Sequence, residues 1–389
     1  MKTERLYYKN IYDTDFDARV ISCGKDEKGC FVILDRTLFY PEGGGQPSDR
    51  GRLGEAIVID VQEKDGELLH YVDTPLKEER TVSGSIDWER RFDLMQQHSG
   101  EHIVSGLVHA QYGYDNVGFH MGEEFITIDF NGMLTMEQVE ALEQKANSYI
   151  WQNRKVHSFV ATEEEKTTLP YRSKKELTGE VRLVEFPGAD LCACCGTHVE
   201  NTGEIGLVKL VSCHKFKQGV RIEMLSGKRA WQYMNLHWQQ NSQISTALSV
   251  KPGETLAAVK REQEEIFQLK GRIMELEQDR YERIAGKCQG KGNVLLFEEG
   301  LSGVEIRKCT DAVLDTCGGI CVLLSGNDKE GYKYAVGERD GDIRALVKKM
   351  NEALQGRGGG KPFFAQGSLQ ASRQEVEGFF EEMGQMTLL

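Results

Sequence analysis

The sequence predicts a protein of the mixed α+β class that is built from several domains. Its 389 residues exceed the roughly 100–200 residues of a typical single domain. Short segments of strand-forming residues fill the chain as far as Ile86, and helical periodicity begins at Trp88. A new alternation of strands and helices begins after Gly292. These three observations predict separately folded regions.

The first 86 residues predict a small β structure. Five short segments rich in strand-forming residues are evenly spaced and separated by glycine and charged residues. Such spacing is typical of a barrel or a sandwich, and we take a small β-barrel as the prediction for residues 1–86. The predicted strands are Arg19–Ser22, Cys30–Asp35, Ala56–Gln62, Glu67–Val72 and Thr81–Ile86.

Residues 87–230 predict a domain that mixes helices and strands. Residues that follow helical spacing between Phe92 and Leu107 place His98 and His102 on one long helix. A capping-box pattern at Thr135 predicts a second helix that extends to about Gln152. Strands are predicted at Glu124–Phe130, Val181–Glu185, Gly206–Ser212 and Val220–Met224.

Residues 231–286 predict a helical spacer. The segment is helical and charged in composition and is broken at Val250–Gly253. After the break, apolar residues repeat every seven positions beside two leucines, over too few heptads to establish a long coiled coil. We expect a helical hairpin that serves as a spacer or as a dimerisation arm. The repeating residues are Val259, Ile266 and Ile273, with Leu269 and Leu276 beside them.

Residues 287–389 predict a separate α/β domain. A helix predicted at Ile343–Leu354 leads into a glycine-rich loop in which Arg357 and Lys361 flank Gly358, Gly359 and Gly360. The predicted strands are Asn293–Glu298, Gly319–Ser325 and Tyr332–Gly337.

Composition and charge bound the classes of function. Neither a run of about 20 apolar residues nor an N-terminal apolar signal core is present, so we expect a cytoplasmic protein without a membrane span. The net charge of −13 weighs against nucleic-acid binding. Two segments are nevertheless locally basic: residues 205–230 and 344–373 each carry six lysines and arginines against one glutamate. Because nucleic-acid binding uses local patches, that class stays open.

Two pairs of residues have the spacing of metal ligands. His98 and His102 lie four residues apart, about one helical turn, and Cys194 and His198 repeat that spacing. Three imidazoles and one thiolate suit a tetrahedral zinc ion, so we predict one Zn²⁺ per chain. Of the neighbouring thiols, Cys195 has only a three-residue offset from His198, and Cys192 is interpreted as a small buried hydrophobe.

The role of such a metal is left open by the sequence. Four permanent ligands would make a closed structural site, whereas a loose ligand or a fifth position would allow catalysis. His98-Ser-Gly-Glu-His102 also matches the H-x-x-E-H signature of zinc proteases, in which Glu101 would be the general base. Those enzymes generally use a carboxylate as the third ligand, so we interpret Glu101 as an exposed helix charge.

Five motifs, in this order, resemble the editing domain of alanyl-tRNA synthetase and the free-standing AlaX-type editing proteins. The chain departs from the usual pattern at Cys195, where the family has glycine, and at Glu101, where synthetases often have a small or uncharged residue. The last motif is similar to the hallmark of the DHHA1 domain. The motifs are the glycine-rich element Phe39–Gly51 with its Gly-Gly-Gln sequence, Gln97–His102, Gly118–Gly122 with Ile126–Phe130, Cys194–Gly206, and Gln355–Gly367.

The resemblance implies a trans-editing hydrolase that deacylates mischarged tRNA(Ala), chiefly the seryl form, with the glycyl form as a second candidate. It implies a zinc-dependent aminoacyl-tRNA deacylase domain at 87–230, a Gly-Gly-Gln loop in the N-terminal barrel and a DHHA1-like domain at 287–389 for tRNA binding or dimerisation. Because the editing region begins at the N-terminus, we expect no aminoacylation activity. Zinc would be held by His98, His102, Cys194 and His198.

Further site residues follow from this resemblance. Gln46 and Thr127 are the candidate polar pocket residues that distinguish serine from alanine. Basic residues would contact tRNA: Lys215, Lys217 and Arg221 near the zinc, and Arg357 and Lys361 with Gly358, Gly359 and Gly360 elsewhere. A homodimer through the C-terminal domain or the helical spacer stays open. The alternative function is a non-catalytic tRNA-binding module with a structural zinc.

Overall fold

The computed structural model describes residues 3–173, 179–384 and 386–389. The chain divides into two compact units, Met1–Gln243 and Ile244–Leu389. Both units contain helices and sheets, which confirms the mixed α+β, multidomain class. The boundary between the units falls inside the predicted spacer, and the finer division at residues 86, 230 and 286 stays a prediction.

Eight strands fold at the start of the first unit. Six of them pair in the order β2-β3-β7-β6-β5-β8, and β8 pairs back onto β2, so the sheet closes into a barrel. Closure leaves no unpaired edge in this sheet. The strands are β1 Glu4–Arg5, β2 Asp15–Asp26, β3 Gly29–Leu34, β4 Arg36–Thr37, β5 Gly51–Leu53, β6 Ala56–Lys64, β7 Glu67–Val72 and β8 Thr81–Ile86.

The rest of the first unit is organised around helix α1, Trp88–Tyr112. The Asp87 side chain caps its first turn by accepting from Arg90 N, and Gly113 ends it in the left-handed conformation. Two antiparallel sheets follow, β14-β15-β10-β9 and β11-β12-β13. The elements are β9 Asn116–Met121, β10 Ile126–Phe130, α2 Met136–Ile150, β11 His157–Ala161, α3 Glu163–Thr168, β12 Val181–Phe186, β13 Asp190–Ala193, β14 Val208–Phe216, β15 Gly219–Ser226 and α4 Gly227–Ala247.

The second unit is a six-stranded sheet with helices on both faces. Side chains of the central strands alternate between two cores, one with α5 and α6 and the other with α7 and α8. The strand order is β19-β20-β18-β17-β16-β21. The elements are α5 Thr255–Cys288, β16 Gly292–Phe297, α6 Gly303–Cys317, β17 Gly318–Asn327, β18 Gly331–Gly337, α7 Arg344–Ala353, β19 Arg357–Lys361, β20 Phe364–Leu369, α8 Arg373–Glu382 and β21 Thr387–Leu388.

The glycine-rich segment differs from its prediction as a loop. It forms β19, a strand at the edge of the sheet that pairs with β20. A Cβ on Gly358 or Gly360 would lie within 2.4 Å of the β20 backbone, so side chains are excluded at both positions. A Cβ on Gly359 would meet nothing. The glycines therefore permit close strand pairing.

Among the described residues, no helix combines the length and the hydropathy needed to cross a bilayer.

A buried ion pair joins α1 to the segment that follows the Gly-Gly-Gln loop. The Arg91 and Asp49 side chains are 0% and 1% exposed. Arg91 Nε donates to Asp49 Oδ1 over 3.0 Å, and its Nη2 donates to the Leu38 carbonyl over 2.6 Å. Tyr40 N also donates to Asp49 Oδ2, so both charges have several partners.

We expect Arg91→Ala to lower the free energy of unfolding by about 3–5 kcal/mol, because Asp49 would be left buried and unpaired. Urea denaturation monitored by circular dichroism measures this change. Lys228→Ala is the matched control, since Lys228 and its partner Glu89 are 60% and 84% exposed, and it should leave stability unchanged. A loss of less than about 1 kcal/mol in Arg91→Ala would show that the pair is not an important constraint.

Candidate metal centre

Two parts of the first unit bring four donor side chains together. Helix α1 carries His98 and His102 one turn apart, and the segment after β13 carries Cys194 and His198. Their ligand atoms all lie within 4.8 Å of one another. The His198 ring centroid is 4.4 Å from that of His98 and 4.7 Å from that of His102. The two predicted pairs thus form one cluster.

The chemistry of the cluster fits a bound metal ion. Both ring nitrogens of His198 are buried and lack a hydrogen-bond partner within the described residues, which is costly unless another group binds there. Burial and the neighbouring His98 and His102 hold the pKa of His198 well below its usual value. Burial opposes ionisation of Cys194, but His98 and His102 outweigh it and lower the thiol pKa well below its usual value. A neutral imidazole and a thiolate are the forms that bind metals.

The two neighbouring cysteines, Cys192 and Cys195, are not members of the four-residue cluster. Cys192 belongs to a different group, with Asp190 and His102, and burial raises its pKa to about 11. Burial and the neighbouring Cys194 also raise the pKa of Cys195. The Cys195 sulfur lies 3.8 Å from the Tyr40 hydroxyl, on the side of the glycine-rich loop. Within the described residues, Cys194 is therefore the thiol that joins the three histidines.

Gln46 of the glycine-rich loop contacts the His98 ring nitrogen that does not face Cys194. Its Oε1 is 2.9 Å from His98 Nδ1 and also accepts from Thr197 N over 3.1 Å, while its Nε2 donates to Thr197 Oγ1 over 2.8 Å. The side chain is completely buried. A Cβ on Gly196 would lie 2.2 Å from the His98 ring, so only glycine fits there. Gln46 thereby orients His98 with Nε2 directed toward Cys194.

Asp190 and Arg172 hold His102 in the same way. Asp190 Oδ2 lies 2.8 Å from His102 Nδ1, and Arg172 Nε and Nη2 donate to the two Asp190 oxygens over 2.7 and 2.8 Å. Burial would raise the pKa of Asp190, but the bonds from His102 and Arg172 outweigh it and lower that pKa. A carboxylate on the second nitrogen of a ligand histidine fixes the ring and strengthens metal binding.

The segment that carries Cys194 is fixed through its carbonyl groups. Arg182 Nη1 donates to the carbonyls of Cys194 and Gly196 over 2.9 and 3.0 Å. The Tyr8 hydroxyl donates to the Cys195 carbonyl over 2.7 Å, and its ring lies against the Arg182 guanidinium. Three successive carbonyls are therefore held from outside the segment.

A cavity of about 430 Å³ opens beside the cluster. Its lining includes Gly44, Gly45, His98, Glu101, His102, Phe119, Arg172, Ser173 and Cys192–Cys195. A second cavity of about 590 Å³ shares Arg172, Ser173 and Cys192 with the first. The donor cluster thus forms part of the wall of a cavity that adjoins a larger one.

Comparison with known proteins relates the chain to alanyl-tRNA editing proteins and alanyl-tRNA synthetases. The models for tRNA synthetases class II (A), for the threonyl and alanyl tRNA synthetase second additional domain and for the DHHA1 domain match residues 3–90, 181–223 and 289–386. The alanyl-tRNA editing protein Aarsd1-A of Xenopus laevis is 30% identical over 95% of both chains. The alanyl-tRNA editing protein AlaX-L of Pyrococcus horikoshii is 30% identical over 96% of both chains. The alanine–tRNA ligase of Ignicoccus hospitalis is 34% identical over 92% of this chain and 40% of its own length.

The chain belongs to the alanyl-tRNA editing protein family. The resemblance inferred from the motifs is therefore confirmed. The second additional domain model covers Cys194 and His198 but not α1, and the DHHA1 model covers the glycine-rich strand β19.

The prediction that Glu101 is an exposed charge of this editing protein is wrong. Glu101 is 3% exposed and accepts from Ser105 Oγ over 2.6 Å and from Asn116 Nδ2. Helix α1 is covered on every side between Leu94 and Val108, because the sheets and the glycine-rich loop surround it. Apolar residues at helical spacing indicate only which face of a helix packs against the core, so the sequence did not reveal that the other faces, including Glu101, are also buried.

The other predicted site residues of the editing protein lie apart from the cluster. Thr127 lies in β10 opposite His120 and Glu223 and does not line the first cavity. Lys215 and Lys217 are exposed near the β14–β15 turn, and Arg221 pairs with Asp129 over 2.6 and 2.8 Å. In the second unit, a separate cavity of about 420 Å³ is lined by Gly358, Gly359 and Gly360 together with Arg344 and Lys348 of α7.

We expect Asp190→Asn to weaken metal binding by about 10–100-fold, because His102 would lose its carboxylate partner. Competition with a chromogenic chelator measures the dissociation constant. Asp93→Asn is the control, since Asp93 is likewise a carboxylate paired with an arginine but is not one of the residues of the metal cluster; its side chain is 19% exposed, against 1% for Asp190. Equal affinities of Asp190→Asn and the wild type would contradict this role for Asp190.

Proposed function

We propose that the chain hydrolyses the ester bond of mischarged tRNA(Ala), chiefly seryl-tRNA(Ala) with glycyl-tRNA(Ala) as a second substrate, using one zinc ion. The observation that carries the proposal is the cluster of three histidines and Cys194 in the wall of a cavity of about 430 Å³. Membership of the alanyl-tRNA editing family supports the substrate class. The ten cysteines, all of them free thiols, support action in a reducing compartment such as the cytoplasm.

The reaction adds water to the ester carbonyl, breaks its bond to the terminal ribose and releases the amino acid and the free tRNA hydroxyl. Zinc held by His98, His102, Cys194 and His198 would supply a positive charge that can polarise a carbonyl, hold an amine or acidify water. The chain itself would position the ester, since an activated ester needs orientation more than a covalent nucleophile. The cavity walls that limit the size of the aminoacyl group include Gly45 and Phe119, whose ring stacks on His98 at 5.4 Å.

Discrimination against alanyl-tRNA requires a polar partner for the serine hydroxyl. A pocket that hydrogen-bonds this hydroxyl leaves its own polar groups unpaired when alanine enters. Gln46 remains our candidate, and the bonds that it already makes to His98 and Thr197 support an additional role in orienting His98. Neither Gln46 nor Thr127 is among the residues that line the cavity, and Thr127 is the weaker candidate because, unlike Gln46, it contacts none of the four donors.

The exposed basic residues are our candidates for tRNA contact. Lys215 and Lys217 are exposed and form no ion pair with any residue that the structure describes, so they can meet the acceptor stem, whereas Arg221 already pairs with Asp129. In the second unit we propose that Arg357, Gly358, Gly359, Gly360 and Lys361 contact tRNA phosphates. Arg344 and Lys348 would add to this surface, because they line the cavity beside these glycines.

We expect purified wild-type protein to deacylate seryl-tRNA(Ala) rapidly and to spare alanyl-tRNA(Ala). Cys194→Ala and His102→Ala should reduce the rate by about 100-fold or more, because each removes a metal donor. Cys213→Ala, which removes a partly buried thiol outside the cluster, should retain the wild-type rate. Metal content and circular dichroism on the same samples separate loss of metal from loss of fold.

A non-catalytic tRNA-binding module is the second candidate. The observation that favours it is the set of four protein donors, since four permanent ligands are typical of a structural zinc site. Tight tRNA binding without hydrolysis above the spontaneous rate would establish the module and overturn the deacylase. The protease alternative is less compatible with the cluster, which includes no carboxylate.

We further propose a parallel homodimer through α5. Val259, Ile266, Leu269, Ile273 and Leu276 lie along one side of the helix and are 37–54% exposed. In two-stranded coiled coils, each seven-residue repeat has two apolar positions that face the partner helix and form the seam between the helices. Isoleucine or valine at the first position and leucine at the second is the pattern that favours two strands. In such a pair of parallel helices, Glu265 of one copy would face Lys270 of the other, and Arg272 of one copy would face Glu277 of the other. Within each copy, Glu277 also contacts Lys308.

We expect the double substitution Ile266→Lys with Ile273→Lys to convert the dimer to a monomer, because two charges would enter the seam. Sedimentation equilibrium at micromolar concentrations measures the mass. Phe267→Lys with Met274→Lys is the control, since these exposed residues have the same seven-residue spacing but lie beside the seam. A monomeric wild type would contradict the dimer.

A further inference from the structure

The second cavity of the first unit, lined by His109, Asn116, Val117, Tyr171, Arg172 and Cys192 among others, lies next to the metal centre but takes no part in the function proposed above. Its volume of about 590 Å³ falls in the range of small-molecule sites. It meets the metal cavity at Arg172, Ser173 and Cys192. The two cavities are therefore immediate neighbours, and these three residues contribute to the walls of both.

Arg172 is a fixed cation at the junction of the two cavities. Its Nε and Nη2 are held by Asp190, and Asp190 also binds His102, so the guanidinium lies two hydrogen bonds from a metal donor. Asp190 leaves the Nη1 amino group for another partner. A preorganised guanidinium edge in a cavity is suited to a phosphate oxygen.

The remaining walls suit a nucleotide base. Tyr171 and Pro170 provide an aromatic and an apolar surface, and exposed bases of single-stranded RNA stack on such side chains. Asn116 is committed to Glu101, Ser105 and Gly118, so the floor of the cavity is fixed. His109 Nδ1 lies 3.0 Å from Asp115 Oδ1, and both residues also line the cavity.

The geometry of the substrate connects these features. The ester lies on the last ribose, and the phosphodiester on the other side of that ribose leads to the penultimate nucleotide. We propose that the second cavity binds the penultimate nucleotide of the tRNA 3′ end, a cytidine, with the linking phosphodiester on Arg172 and the base beside Tyr171. This inference rests on the proposed deacylase function and adds a subsite to it.

Two small substrates test the subsite directly: the seryl ester of adenosine and the seryl ester of the dinucleotide cytidylyl-adenosine. The wild type should hydrolyse the dinucleotide ester with a kcat/KM about ten-fold or more higher, because one stacked base and one phosphate contact are added. A dinucleotide with a neutral methylphosphonate linkage should lose part of this advantage, because the linkage would no longer carry the negative charge that Arg172 attracts. Equal kcat/KM values for the nucleoside and dinucleotide esters would overturn the subsite.

A cavity-filling variant provides the matched comparison. Val117→Trp should abolish the dinucleotide advantage and leave hydrolysis of the adenosine ester unchanged, because Val117 lines the second cavity but not the first. Val160→Trp is the control, since Val117 and Val160 are both exposed strand valines, 62% and 57%, and Val160 lines neither cavity. An equal loss on both esters in Val117→Trp would overturn the proposal.

Binding of the unacylated dinucleotide separates this inference from the proposed function. If the wild type hydrolyses no seryl ester, the deacylase proposal fails. Calorimetry with cytidylyl-adenosine would then still support the subsite if binding is lost in Val117→Trp and retained in Val160→Trp. Absence of dinucleotide binding by the wild type would overturn it.

Discussion

The site depends on one constraint: each buried histidine of α1 needs an acceptor for the nitrogen that does not face the cluster. A buried imidazole N–H without an acceptor is costly, and the acceptor also selects which nitrogen stays unprotonated. Gln46 supplies the acceptor for His98 and Asp190 supplies it for His102. The glycine-rich loop and β13 must therefore both lie against α1 before the two Nε2 atoms can converge.

This constraint explains why small residues and carbonyl groups surround the cluster. Gly196 must lack a side chain because the His98 ring and Gln46 occupy that space. Arg182 and Tyr8 fix the adjoining carbonyls, so the Cys194 sulfur and the His198 ring are presented from a segment with little freedom. Without a metal, the four donors leave His198 without a hydrogen bond, which makes the cluster a poor arrangement for stability alone.

The sequence allowed us to predict the metal donors, which recur at a fixed spacing, but not the single residues that support them. The four-residue offsets pointed to His98, His102, Cys194 and His198. Residues one helical turn apart face the same way, which explains the pair on α1, whereas Cys194 and His198 lie in a non-helical segment after β13. Asp190 and Arg172 escaped notice since a single carboxylate or guanidinium carries no spacing signal, and their roles arise only when β13 packs on α1.

The prediction of secondary structure was limited in the same way, because tertiary contacts have no local signal in the sequence. Five of the six barrel strands were predicted from short segments rich in strand-forming residues, although Arg19–Ser22 is only part of the longer β2. The three-residue strand β5 was not predicted. The strand β19 was predicted as a loop because glycine is rare in strands, whereas here close pairing with β20 requires it. Burial of Glu101 depends on tertiary packing around α1 and has no local signature.

The charge of the chain limits how it can hold a polyanion such as tRNA. A net charge of −13 repels phosphates at long range, so attraction must come from a few local cations. Several of these are neutralised within the fold, as Arg221 is by Asp129 and Lys209 by Glu143. Exposed lysines such as Lys215 and Lys217 are among the cations of the first unit that can contribute to this attraction. For a protein proposed to act on mischarged tRNA, this charge distribution has a consequence: discrimination would rest on contacts between the 3′ end of the tRNA and the donor cluster with its cavities.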